Sequence, residues 1–129
     1  MFEYQVRIDR IVDGDTFDGT VDLGFHTYSR QRFRLDGYSA PEVEKAEREI
    51  GLIAKQKLEE LLPLGSFWTI KSTKTEKFGR WLADVSREDG QTLSAYLIEQ
   101  GYGLPWNGKG TRPGFDLTTY PLPRRAPNP

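Results

Sequence analysis

Phe2, Tyr4, Val6 and Ile8 alternate with polar neighbours, the period-2 pattern of a half-buried strand, and the Asp13-Gly14 pair that follows is a turn signal. Phe17, Val21 and Leu23 keep odd-position register through a second strand, and residues 24–29 supply the next turn. Gln31, Phe33 and Leu35 then alternate with Arg30, Arg32 and Arg34, so three antiparallel strands are expected. From Glu44 to Leu62 the period changes. Ala46, Ile50, Ile53, Ala54, Leu58, Leu61 and Leu62 share one helical face, and Pro63 and Gly65 end the helix.

Phe67 to Thr73 reads as a fourth strand and Trp81 to Arg87 as a fifth, closed by the turn signal Asp89-Gly90. A short second helix follows, with Thr92 as N-cap, Leu93, Tyr96 and Leu97 as its apolar face and Gly101 past its C-terminus. Residues 111–129 carry Pro113, Pro121, Pro123, Pro127 and Pro129, and such a tail is extended or disordered unless something docks it. The chain therefore divides into a domain over 1–110 and a Pro-rich tail over 111–129. The element order is that of an α+β fold. Five short strands suit the Greek-key β-barrel of the OB-fold with two packed helices, although periodicity alone does not choose that barrel over another small α+β fold.

A chain of 129 residues fits one core, and 36% hydrophobic with 12% aromatic residues is enough to build it. The formal net charge of −1 argues against coating nucleic acid by bulk positive charge, so any such contact must be local. Residues 1–50 hold seven basic against eleven acidic residues, whereas 109–129 hold four against one. With no cysteine and one histidine, His26, thiolate zinc sites, disulfides, cysteine nucleophiles and multi-histidine metal sites are excluded. No stretch approaches the roughly 18 apolar residues of a membrane span, and no signal-peptide pattern opens the chain, so a cytoplasmic location without membrane contact is expected.

Carboxylates, lysines and arginines are left to carry chemistry. Asp13-Gly14-Asp15-Thr16 sets two carboxylates two apart at a turn, a spacing that can direct oxygen ligands at a hard cation, though taken alone a hairpin turn with solvated carboxylates is the commoner reading. Arg34 to Glu42 ends a strand with an arginine at one end and a glutamate at the other. Gly79-Arg80-Trp81-Leu82-Ala83-Asp84-Val85 places an arginine after a glycine at a strand start.

Together with Leu97-Ile98-Glu99-Gln100-Gly101-Tyr102-Gly103, these blocks resemble the staphylococcal-nuclease (thermonuclease) family in order and spacing, over residues 6 to about 104. The resemblance implies an OB-fold barrel and Ca²⁺-dependent hydrolysis of DNA and RNA phosphodiesters. It implies Asp15 as a metal carboxylate, Asp13 as a nearby acid of the same turn and Ala40 as a ligand through its backbone carbonyl. Arg34 and Arg80 correspond to the arginines that hold the phosphate, and Glu42 to the general base. Ser39 stands where the family pattern has a metal-binding aspartate. A hydroxyl brings no charge, so weaker metal binding follows. The family's longer C-terminal helix is replaced by the Pro-rich tail.

That set is chemically coherent, because a phosphodiester repels hydroxide until its charge is neutralised. A divalent ion does this as a Lewis acid, arginines offer forked donors, and a carboxylate within reach of water takes its proton. Lys71, Lys74 and Lys77 are candidates for backbone phosphates, with a solvated face as the rival reading. Tyr102 and Trp106 are candidates for stacking on bases, with core packing as the rival. His26 reads as an exposed turn residue, and Arg124-Arg125 as a modest phosphate attractor. The expectation is a monomeric, metal-dependent nuclease of low sequence specificity acting on DNA or RNA, with no protein partner. The alternative is an OB-fold nucleic-acid-binding module that has lost efficient cleavage through Ser39.

Overall fold

The structure, a computed structural model, describes residues 2–75 and 79–123, with side chains over 3–72 and 79–123. Its centre is a closed five-stranded barrel. Strands β1 (Phe2–Asp13), β2 (Thr16–Asp22) and β3 (Tyr28–Leu35) form an antiparallel meander. After the two-residue β4 (Tyr38–Ser39) and helix α1 (Arg48–Leu61), β5 (Phe67–Thr75) returns antiparallel to β1. Strand β6 (Trp81–Val85) pairs antiparallel with β5 and parallel with β3, which closes the barrel in the order β1-β2-β3-β6-β5. Helix α2 (Leu93–Glu99) follows, and β7 (Leu104–Pro105) pairs with β4. The expected α+β, OB-like barrel with two helices is what the chain forms.

One long strand serves two partners. The first half of β1 pairs with β5 and most of its length with β2, and register shifts between Ile8 and Arg10 and between Ile11 and Asp13 bend it around the barrel. At the first shift the Asp9 carboxylate accepts from Arg7 Nε at 2.9 Å and from Thr20 Oγ1 at 2.6 Å, tying the bend to β2. Inside the barrel Val6, Ile8, Phe17, Val21, Phe33, Leu35, Ile70, Ala83 and Val85 are buried, and Phe17 stacks on Phe33 at 5.3 Å. Burying a side chain of this size contributes about 1.5–3 kcal/mol, so the alternation read from sequence is also the main source of stability.

The first helix begins later than its apolar pattern suggests. Lys45–Glu47 form a 3-10 turn, with Lys45 at φ 58°, and the α-helix starts at Arg48. Ala46 is consequently exposed and Ile53 is 43% exposed, while Ile50, Gly51, Ala54, Leu58 and Leu62 make the buried stripe. In α2 the expected cap is present: the Thr92 side chain accepts from the Ala95 N–H, and Gly101 takes φ 86° beyond the last turn.

The tail docks as far as it is described. Leu122 N–H donates to the Gly101 carbonyl at 2.9 Å, Tyr120 Oη donates to the Tyr102 carbonyl at 2.6 Å, and Phe115 N–H donates to Glu47 Oε2 at 3.3 Å. Tyr120 packs edge-on against both Tyr102 and Phe115. Among the described residues no helix is long and apolar enough to cross a membrane.

Candidate active site

The site is assembled around the tight connection from β1 to β2. Asp13 Oδ1 accepts the Asp15 N–H at 3.0 Å, an Asx-type turn that holds Asp15 inward at 2% exposure. Gly14 is required there because a Cβ would lie 2.6 Å from Ala54 Cβ and 2.8 Å from Ala40 Cβ, wedged between α1 and the 38–42 segment. Both oxygens of the Asp15 carboxylate are engaged. Oδ1 accepts from Thr16 Oγ1 at 2.9 Å, and Oδ2 accepts from the Ala40 N–H at 3.0 Å and from Arg112 Nη2 at 3.2 Å.

Burial alone would raise the Asp15 pKa. Hydrogen bonds from Asp13 and the Ala40 N–H, with the charges of Arg112 and Arg34, outweigh it and hold the group below the usual carboxylate range. Its neighbour goes the other way, burial first and then the Asp15 charge pushing Asp13 up to about 7.

The second wall is the segment after β3. Pairing of β4 with β7 fixes Tyr38 and Ser39, and Ser39 and Ala40 are fully buried. Glu42 emerges at the rim with its side chain 48% exposed, and its N–H donates to Glu47 Oε1 at 3.2 Å. Gly51 of α1 lets that segment come close, since a Cβ there would collide with the Glu42 carbonyl.

Arg112, from the tail, joins these walls. Its Nε donates to Ser39 Oγ at 2.9 Å, Nη2 to the Ala40 carbonyl as well as to Asp15, and Nη1 pairs with Glu42 Oε1. Four residues named from the sequence, Asp15, Ser39, Ala40 and Glu42, thus meet on one guanidinium.

Arg34 is 2% exposed, not on a solvated strand face as the alternation suggests, because the last three residues of β3 are all covered. Its Nη2 donates to the Tyr38 carbonyl at 2.6 Å, and its guanidinium carbon lies 4.4 Å from the centre of the Trp106 ring. Trp106 is itself held, by its backbone N–H to the Gly37 carbonyl and by Nε1 to the Lys109 carbonyl. Arg80 stands half-buried after Gly79, one residue before Trp81, which pairs with Phe33 in the strand that carries Arg34.

The remaining candidates lie elsewhere or are otherwise engaged. Lys71 pairs with Glu3 at 3.7 Å on β5. The side chain of Lys74 and the whole of Lys77 lie outside the described residues. Tyr102 packs between Lys57, 5.4 Å from its ring centre, and Tyr120. His26 sits exposed in the turn before β3.

Calcium takes about six to eight oxygen ligands at roughly 2.3–2.6 Å. Among the described residues no group of three or more His, Asp or Glu side chains is arranged to hold a metal. The Asp15 and Ala40 oxygens that the resemblance assigns to the ion, and the Ser39 hydroxyl that stands in place of the family's aspartate, already accept from Arg112. A divalent ion does not fit this arrangement.

Sequence reasoning missed Arg112, Gly51 and the burial of Arg34. Arg112 sits in a Thr-Arg-Pro-Gly stretch without periodicity, and the only local hint was the positive balance of the tail.

No family model matches the chain. Over 110 residues, 78% of this chain, it is 28% identical to Endonuclease YhcR of Bacillus subtilis (strain 168), and the chain spans 9% of that protein's length.

Proposed function

We propose that the chain is a nuclease of the thermonuclease type, hydrolysing phosphodiester bonds of DNA or RNA with little sequence specificity. The observation that carries this is the meeting of Asp15, Ser39, Ala40 and Glu42 at one pocket, with Arg34 covered beside it by Trp106. The likeness to part of a bacterial endonuclease supports the same reading.

In this mechanism Arg34 and Arg80 bind the non-bridging phosphate oxygens and neutralise the charge that builds as water attacks. Glu42 accepts the proton of that water. The new P–O bond forms while the P–O bond to the leaving sugar breaks, and the departing alkoxide takes a proton from solvent. Because Trp106 covers Arg34, substrate must displace the indole, whose freed face then offers a base a stacking surface.

Incubation of purified protein with single-stranded DNA, duplex DNA and RNA, read on a gel, tests the reading. Internal cuts that are lost in Glu42→Gln are expected, with unpaired strands cut faster. Intact substrate under every condition, together with retained oligonucleotide binding, would instead establish the second reading, a nucleic-acid-binding module. The pairing of Glu42 with Arg112 favours that alternative.

A further inference from the structure

We propose that Arg112 is the resident cation of the Asp15 pocket: its guanidinium occupies the position of a divalent ion, and the site meets phosphodiesters with a tethered organic cation. The inference rests on the reading of this pocket as the phosphodiester site and concerns what neutralises it.

Geometry carries the argument. All three guanidinium nitrogens are used, toward four acceptors: the Asp15 carboxylate, the Ser39 hydroxyl, the Ala40 carbonyl and the Glu42 carboxylate. These acceptors come from two segments that converge on one point, with Asp15 and Arg112 97 positions apart in the chain. A planar fork of donors matches such a half-ring of oxygens, whereas an ammonium would meet it only as a point charge.

The charges match as well. Ser39 brings an acceptor without charge, so Asp15 is the one fully buried carboxylate among the described pocket residues, and Arg112 adds its charge to that of the buried Arg34 in holding it ionised. This is also unlike a surface ion pair, since the Arg112 side chain is 26% exposed and its Asp15 partner 2%.

Delivery is built into the tail. Before Arg112 the chain is pinned by Trp106, and after it by Phe115, Tyr120 and Leu122, so little freedom remains to be lost when the guanidinium seats. Arg112 then acts as a positioning residue, holding Glu42 at the rim while adding positive charge beside Arg34.

The direct test uses the full chain. The ¹⁵N signal of the Arg112 Nε–H, assigned by its loss in Arg112→Gln, should be protected from exchange and should keep its position as CaCl₂ or MnCl₂ is added. Displacement of that signal by calcium, with a saturable one-to-one isotherm, would overturn the proposal and make Arg112 a gate that the ion opens.

Calorimetric calcium titration gives the second arm. Arg112→Gln, which keeps donors for Asp15 without the charge, should bind calcium at least about tenfold more tightly than the parent. Equal affinities, or no gain in a folded variant, would show that the guanidinium does not stand at an ion position. Should the variant fail to fold, the parent's signal decides alone, assigned instead through selective labelling of arginine. Neither arm reads cleavage, so failure of the resident-cation proposal and failure of the nuclease reading are told apart.

Discussion

Glu42 is the residue on which the proposed chemistry turns, because its carboxylate stands at the rim, 48% exposed, where that of Asp15 is buried. Glu42→Gln should lower turnover by about 10²-fold or more, the usual scale for a general base. Circular dichroism should show an unchanged fold; a well-folded variant that cuts as fast as the parent would make Glu42 structural. Arg34→Ala should do more than slow the reaction. It strips a donor from the Tyr38 carbonyl and a cation from beneath Trp106, so about 1–3 kcal/mol of stability should go with it, measured by urea unfolding. The D-G-D-T turn and the Arg34-to-Glu42 spacing were legible as motifs because each is local. The burial of Arg34 and the arrival of Arg112 were not, since Trp106 and Arg112 reach the site from segments after α2 that no local period describes.

At the scale of elements, periodicity located the five barrel strands and both helices, and it erred where a backbone break intervened. The apolar face of α1 extends in sequence back to Ala46, yet the positive φ of Lys45 interrupts the helix and leaves Ala46 outside. Leu58, fully buried on the surviving stripe, is the residue to test: Leu58→Ala should cost about 2–5 kcal/mol, seen as a lower denaturation midpoint with an unchanged slope. The bend of β1 carries a pH dependence. Burial would raise the Asp9 pKa, but the Thr20 hydrogen bond and the Arg7 and Arg30 charges hold it below its ordinary 3.8. Its folded pKa being depressed, its contribution is present above about pH 4 and is lost as pH falls through the folded value. Asp9→Asn should therefore flatten the acid limb of the stability curve, and an identical limb in both proteins would show that the bend does not depend on that charge.

For the whole molecule, a net charge of −1 leaves little general attraction for a polyanion. If binding rests on Arg34, Arg80 and one further cation, the affinity for a single strand should fall with salt at a logarithmic slope of about −2. A slope several-fold steeper would mean that a broad basic surface takes part. The barrel itself is closed by the parallel seam of β3 with β6, three registered pairs from Phe33–Trp81 to Leu35–Ala83. Parallel pairing is slightly the weaker per residue, and among the described residues this seam has the fewest registered pairs in the barrel. Arg34 lies on one lip of that seam and Arg80 borders the other. When the barrel breathes, it should part here first, and the two arginines should separate while the meander of β1 to β3 stays whole. Amide hydrogens bonded across β3 and β6 should accordingly exchange faster than those between β1 and β2. A phosphate held by both arginines would act as a clasp across the seam, slowing that exchange and leaving the rest of the barrel unchanged.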